Sequence, residues 1–321
     1  MSGTWMGMSW FLVTVMAVAW LLAIAATPAL LRRVARPASR PQSRKRALLL
    51  TALLPWLAPL LVASAVLAPA VAKPLGVMAH HCVEHGAGHP HICLAHPPAV
   101  QLSAWHWLPL AVAASWLLWN AAAHIARRRR ARSQLRSILS FARGPGPLQT
   151  LHTSHCVALA ADPGGPVILL SSELRKRLLP RQRRIVLAHE AAHLRHGDLP
   201  WSRWIDALLV LHIGPVARQL RAAWRQAIEE HADDAVATRF GREAVAEALI
   251  EVARRPAVIA GSVLGATGGN TALRISRLLD EPAEARDAVT FPAIYAGALL
   301  WSWVALVSAH HALETLLGFA G

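Results

Sequence analysis

The chain has 321 residues, 55% of them hydrophobic, and a formal net charge of +15, with a positive mean hydropathy. So apolar a composition excludes an ordinary soluble domain and points to several membrane spans. The charge is concentrated in arginine runs that abut those spans, which reads as anchoring to anionic headgroups rather than direct nucleic-acid binding.

A hydrocarbon core of ~30 Å takes about 20 helical residues. Four stretches are long enough: Trp5 to Leu31, Ala47 to Val71, Ala104 to Ala126, and Phe291 to Phe319. The first lacks the basic n-region of a signal peptide and runs too long for one, so it reads as a retained anchor. Between the first two spans lie Arg32, Arg33, Arg36, Arg40, Arg44, Lys45 and Arg46. After the third come Arg127, Arg128, Arg129, Arg130, Arg132 and Arg136, whereas the loop from Ala72 to Ser103 carries only Lys73. Cytoplasmic loops hold the excess of Lys and Arg, so both termini and the 72–103 loop are expected outside. The expected domains are 1–126, three transmembrane helices with the outer loop 72–103; 127–288, a cytoplasmic domain; and 289–321, a fourth transmembrane helix. The expected location is a multi-pass protein of the cell membrane, with the lipid bilayer as one partner.

The outer loop holds His80, His81, Cys82, His85, His89, His91, Cys93 and His96 within seventeen residues. Such a cluster suits a soft or borderline metal. A Cys82–Cys93 disulfide, which the oxidising outer side permits, is the preferred reading, and the two compete for the same sulfurs. A metal- or ligand-sensing role for this loop follows from the metal reading.

Within the inner domain, Cys156 to Ala161 and Val167 to Leu170, joined by Asp162-Pro163-Gly164-Gly165-Pro166, read as a β-hairpin. Its edge would suit an extended peptide bound by backbone hydrogen bonds. A helix then starts near Pro180 and carries His189-Glu190-Ala191-Ala192-His193. Histidines four apart lie on one helical face, so both imidazoles can reach a single metal. Zn2+ takes such nitrogen ligands in tetrahedral geometry and keeps one position for water. Glu190, beside the first ligand, is placed to take a proton from that water.

Gly197 of His196-Gly197-Asp198 suits a left-handed cap that ends the helix. The apolar run Ala207 to Ala217 is too short to span and would, if it crossed, separate the histidines from the next acidic cluster. It is expected as a buried or membrane-surface helix. That cluster is Glu229-Glu230-His231-Ala232-Asp233-Asp234, on a helix expected over Arg221 to Arg239. Glu229 is assigned as third ligand and Asp233 as a carboxylate orienting a histidine ring, with Glu230 and His231 as rivals for the ligand position. Asp234 to Arg255 reads as an amphipathic helix, Ala257 to Asn270 as a small-residue stretch, and Leu273 to Leu279 as a short basic helix.

This combination resembles the BlaR/MecR-type membrane metallopeptidases, and more distantly the HtpX and CAAX-prenyl-protease families. The likeness rests on the histidine pair, the His-Gly-Asp at 196–198, Glu229-x-x-x-Asp233, and Ser171-Ser172-Glu173-Leu174 upstream. The Leu273 to Leu279 segment and the last span also look alike, so roughly residues 150–320 are covered. The resemblance implies a mainly α, integral-membrane fold: four transmembrane helices with an inserted zincin-like α+β peptidase domain containing a short β-hairpin. It implies Zn2+ on His189, His193 and Glu229, Glu190 as general base, and a protein substrate on the cytoplasmic side, for which a BlaI/MecI-type transcriptional repressor is one candidate. The antibiotic-sensing relatives carry an outer penicillin-binding domain after the last span, where this sequence reaches Gly321; β-lactam recognition is therefore not expected from these residues. Where relatives read Glu-Leu-Ala-Cys-Asp, this chain reads Glu-Glu-His-Ala-Asp, which keeps both acidic positions.

The expected reaction is peptide-bond hydrolysis by a zinc metalloendopeptidase. Its oxyanion needs a donor, and because the one tyrosine, Tyr295, falls within the last span, His231 and His196 are the candidates. Two other readings remain: a non-catalytic membrane metal or ligand sensor, and an HtpX-like quality-control protease. Substrate, trigger and oligomeric state are left open by the sequence.

Overall fold

The computed structural model describes residues 2–35, 40–77, 102–144, 146–254, 270–280, 290–309 and 312. Cys82, Cys93 and the histidine-rich loop lie outside the described residues. The protein is mostly helical. Helices α1 (Ser2–Val34), α2 (Pro41–Ala72) and α3 (Ala104–Ser140) are each long and apolar enough to cross a membrane. Pro41 opens α2 in its first turn, where a missing N–H leaves no bond unmade. The basic residues flanking the spans are thereby helical: Arg44, Lys45 and Arg46 begin α2, and Arg127 to Arg136 continue α3 past its apolar part.

α1 and α2 pack antiparallel. Met8 and Phe11 meet Val66 and Ala70 at one end, while Leu31 and Val34 meet Ala47 and Leu48 at the other. No residue of α3 is buried within the chain, so its apolar face is left for lipid. The helix α10 (Thr290–Ser308) leans on α2, where Trp303 Nε1 donates to Ser64 Oγ at 3.1 Å. Its apolar part, Ala293–Ser308, is shorter than the other three. Three candidate spans, not the expected four, are therefore present among the described residues, and most of 310–321 lies outside them.

Strands β1 (Ala142–Arg143), β2 (Leu148–Leu151), β3 (Ala158–Ala161) and β4 (Val167–Ser171) form one sheet in the order β1-β2-β4-β3. β3 and β4 are the expected hairpin, antiparallel with Ala158 opposite Leu170. β3 starts later than expected, so Cys156 precedes it, half-buried beside Leu174 and Val186. The sheet is larger than the hairpin: β2 runs parallel to β4, and β1 antiparallel to β2. All four residues of β3 are buried. Its alanines let helix α5 approach closely from one side, while Leu159 packs from the sheet against Leu135, Ile138 and Leu139 of α3.

Helix α4 (Ser172–Arg177) is capped by Ser171, whose hydroxyl accepts from Leu174 N. α5 (Pro180–Arg195) begins at Pro180 as its sequence signals, and Gly197 reverses the chain at φ +64°. A side chain is strained at that φ, so glycine suits the reversal. α6 (Asp198–Leu208) follows directly.

The run 207–217 is not one helix. It divides into the end of α6, a 3-10 turn at Leu209–Leu211, and the start of α7 (Gly214–Phe240). Pro215 cannot donate into a continuing helix, so the chain must restart there. Broken helices expose carbonyls that need donors. The spans supply them: Trp56 Nε1 donates to Leu208 O at 2.9 Å and Trp20 Nε1 to Leu211 O at 3.2 Å. His212 Nε2 in turn donates to Ala52 O at 3.1 Å. The expected helix from Asp234 to Arg255 is likewise two, because α7 stops at Phe240 and α8 (Arg242–Ala253) restarts after Gly241 at φ +88°. α9 (Thr271–Leu279) is capped by the Asn270 side chain. α5 lies at the centre, between the sheet, α7 and α8.

Candidate metal centre

α5 and α7 run side by side and turn their acidic and imidazole side chains toward each other. His189 and His193, one turn apart on α5, are 6% and 1% exposed, and Glu229 on α7 is 2% exposed. Their ligand atoms all lie within 4.8 Å of one another, a buried group able to hold a metal ion. The two Nε2 atoms are 3.2 Å apart. Glu229 Oε2 is 3.3 Å from His189 Nε2, and its Oε1 is 3.7 Å from His193 Nε2. The imidazoles stand at 90° to each other, so both Nε2 lone pairs face the space between the helices.

Each outer ring nitrogen is held by a carboxylate. His189 Nδ1 lies 3.1 Å from Asp233 Oδ1, and His193 Nδ1 lies 2.9 Å from Asp198 Oδ2. A donor role for Nδ1 leaves Nε2 as the lone-pair nitrogen on both rings, the tautomer a metal needs. Asp198 is itself paired with Lys45 from α2. Burial opposes ionisation of Asp198, but the His193 hydrogen bond and the Lys45 charge hold its pKa below the usual carboxylate range.

The second charge balance centres on Arg274 of α9, which is 0% exposed. Its Nε and Nη2 donate to the two oxygens of Asp233, both at 2.7 Å. Its Nη1 lies 2.9 Å from Glu229 Oε2, at ion-pair distance but without hydrogen-bond directionality, so that oxygen keeps lone-pair capacity. Burial raises the pKa of both Asp233 and Glu229, but Arg274 together with the neighbouring histidines outweighs it and holds both below the usual carboxylate range.

Glu190 is 1% exposed. One carboxylate oxygen, Oε2, is buried with no hydrogen-bond partner, and the group is also held by the backbone of Ala160 in β3. Burial pushes its pKa up, and His189 and His193 pull it back only in part. A buried carboxylate with raised pKa and an unused oxygen beside a ligand cluster is the expected state of a general base.

The rival ligands do not join the group. Glu230 turns toward the spans, paired with Arg44 of α2 and accepting from Gln226 Nε2 at 2.6 Å. His231 stacks on His196, with ring centroids 3.9 Å apart, and its Nδ1 is 3.4 Å from Lys45 Nζ. Burial, then the nearby His196 and Lys45, push His231 down to about 4; burial likewise lowers His196. Both proposed oxyanion donors are thus neutral rings at pH 7, engaged with each other. Asp198, Arg274 and Lys45 were not assigned to the site from the sequence. Asp198 was legible as a helix end and as part of the His-Gly-Asp motif, without a role at the site, and Arg274 shares a helix face with Leu278, the spacing of an arginine whose stem lies on apolar surface.

Burial opposes a charge on His189, yet its hydrogen bonds to Asp233 and Glu229 outweigh it and push the pKa up to about 10. Proton and metal therefore compete for one nitrogen. Divalent metal binding at neutral pH should release a proton, and affinity should climb about tenfold per pH unit until the pH nears 10. Calorimetry in buffers of different ionisation enthalpy reads this directly; a binding heat independent of buffer would show His189 already neutral.

No protein-family model, curated protein or solved structure matches the chain.

Proposed function

We propose that the chain is a membrane-anchored zinc endopeptidase of gluzincin type. One observation carries it: two imidazole nitrogens and a carboxylate converge within 4.8 Å of one another, each ring braced by its own acid, beside a buried glutamate. Ligand atoms bonded to zinc at ~2.0–2.1 Å are about 3.3 Å apart in a tetrahedron. The two nitrogens are 3.2 Å apart, Glu229 Oε2 is 3.3 Å from His189 Nε2 and the other oxygen, Oε1, is 3.7 Å from His193 Nε2, so one carboxylate flanks both rings. Three protein ligands leave the fourth position to water.

A zinc ion held by His189, His193 and Glu229 would supply Lewis-acid chemistry, polarising a carbonyl and acidifying water. Glu190 takes the water proton on Oε2 and delivers it to the leaving amine. Asp233 and Asp198 hold the two rings in register. Arg274, with the histidine hydrogen bonds, keeps Asp233 and Glu229 ionised in a site too dry to ionise them unaided. Ala160 fixes Glu190 to β3, the last strand of the sheet, whose outer edge is suited to an extended peptide.

The resemblance to BlaR/MecR-type peptidases and the arginine-rich helix ends support placing this site on the cytoplasmic face, with residues 291–319 as a fourth span. The substrate is then a cytoplasmic-side protein, a BlaI/MecI-type repressor being one candidate. Sequencing of protein N-termini in cells expressing wild type or Glu190→Gln should show at least one new terminus in the wild type alone. Identical sets of termini, with both proteins folded in the membrane, would remove the protease reading and leave the sensor.

A further inference from the structure

Beside the metal centre, between α3 and the body that carries it, lies a cavity of about 480 Å³. Its walls come from α3, the end of β3, α6 and α7. Seven arginines and two aspartates line it, which leaves five positive charges in excess. The aspartates are already engaged, Asp162 with Arg203 at 3.4 Å and Asp206 with Arg221 at 2.6 Å. Arg127, Arg128, Arg132, Arg136 and Arg225 have no carboxylate at ion-pair distance among the described residues. Three of these, Arg128, Arg132 and Arg136, recur at four-residue intervals, which puts them on one face of α3, and Arg127 precedes the first of them. Like charges gathered without counter-ions repel, so the cavity is set up for an anion, and its volume falls within the ~300–1,000 Å³ of small-molecule sites.

The place in the fold identifies the anion. The apolar part of α3 ends at Ala126 and Arg127 is the next residue, so the cavity opens where a span leaves the hydrocarbon. Trp201 and Trp204, 45% and 64% exposed, flank Leu199, Ser202 and Arg203 of the cavity wall. Tryptophans exposed at that level are anchors in the headgroup layer, and basic pockets beside spans take anionic headgroups. A soluble phosphate needs no such rim. We propose that this cavity is a binding site for the phosphate headgroup of an anionic phospholipid, docked between the third span and the sheet. Ala160 and Ala161 border the cavity from the end of β3, and Ala160 also holds Glu190. The headgroup therefore braces the strand next to the metal centre against the membrane. Nothing in this inference depends on whether the metal centre hydrolyses peptides.

Native mass spectrometry of the full chain, released from nanodiscs of mixed phosphatidylglycerol and phosphatidylcholine, tests it. Neutralising charges near a membrane surface is worth about 1 kcal/mol per arginine, so wild type should retain phosphatidylglycerol over phosphatidylcholine by about tenfold or more. The triple variant Arg128→Gln, Arg132→Gln, Arg225→Gln should lose that preference while keeping its metal content and circular dichroism. If the triple variant does not fold, Arg132→Gln and Arg225→Gln singly should each cut the preference about fivefold. Equal retention of both lipids by wild type overturns the proposal, as does an undiminished preference in the folded triple or in both single variants. Two further arms use inorganic pyrophosphate and a glutamate-rich peptide. Binding of either that the variants weaken, without preferential retention of phosphatidylglycerol, would reassign the cavity to a soluble anion or to an acidic polypeptide and overturn the lipid assignment.

Discussion

Arg274→Met should destabilise the metal-free protein by about 3–5 kcal/mol, the usual cost of leaving a buried charge without its partner. The substitution keeps the aliphatic stem and removes the permanent charge that α9 brings to both Asp233 and Glu229. Two fully buried carboxylates then face each other with only His189 between them. The sign with pH follows from their depressed pKa values. Stability from Arg274 is present above the unfolded carboxylate pKa of about 4 and is lost as pH falls through the lower native values. The gap between wild type and variant should therefore be widest at neutral pH and close in acid. A divalent metal on Glu229 replaces part of the missing charge, so saturating metal should narrow the gap as well. Arg274→Lys should fall between the two, because an ammonium restores charge without the bidentate fork. Denaturation in detergent, with metal and with chelator, measures all of this. A loss under about 1 kcal/mol, or one unmoved by metal, would show that Arg274 is not the counter-ion of the site.

The uneven legibility of this site has a physical origin. His189, Glu190 and His193 were readable because a helix converts a spacing of four into a shared face, and no tertiary knowledge is needed. Glu229 and Asp233 were readable for the same reason once a second helix was assumed. Asp198 reaches His193 only because Gly197 turns the chain back on itself, and a reversal after a helix does not reveal where the next carboxylate will point. Arg274, Arg44 and Lys45 meet the site across long stretches of chain, so no local pattern marks them. In the fold, the apolarity of 207–217 masked the punctuation of Gly214-Pro215, although proline there forbids a continuous helix. β2 was missed because Leu148-Gln149-Thr150-Leu151 is too short to show a strand period, and its pairing with β4 is set by tertiary contact alone. The resulting sheet places β3 at an edge, hard against Glu190, which the hairpin alone did not specify.

Glu190→Gln should lower peptide hydrolysis by about 10²–10⁴-fold, the range lost with a general base, and leave metal stoichiometry unchanged. The amide is nearly isosteric and can still accept from the Ala160 backbone, whereas it cannot carry a proton between water and amine. Glu190 also sets the acid limb of the rate. Burial raises its pKa, and a base works only when deprotonated, so activity should fall with acid already above the ordinary carboxylate value of about 4.3. A bound cation opposes burial and pulls the limb back toward that value. Protonation of His189 produces a second acid effect by expelling the metal, and the variant separates the two. The residual rate of Glu190→Gln should follow metal occupancy alone across pH, while wild type should fall more steeply. If the variant kept the full rate on a purified substrate, the base would have to be sought elsewhere. If it lost its metal instead, Glu190 would be holding the histidine rings in place rather than activating the water.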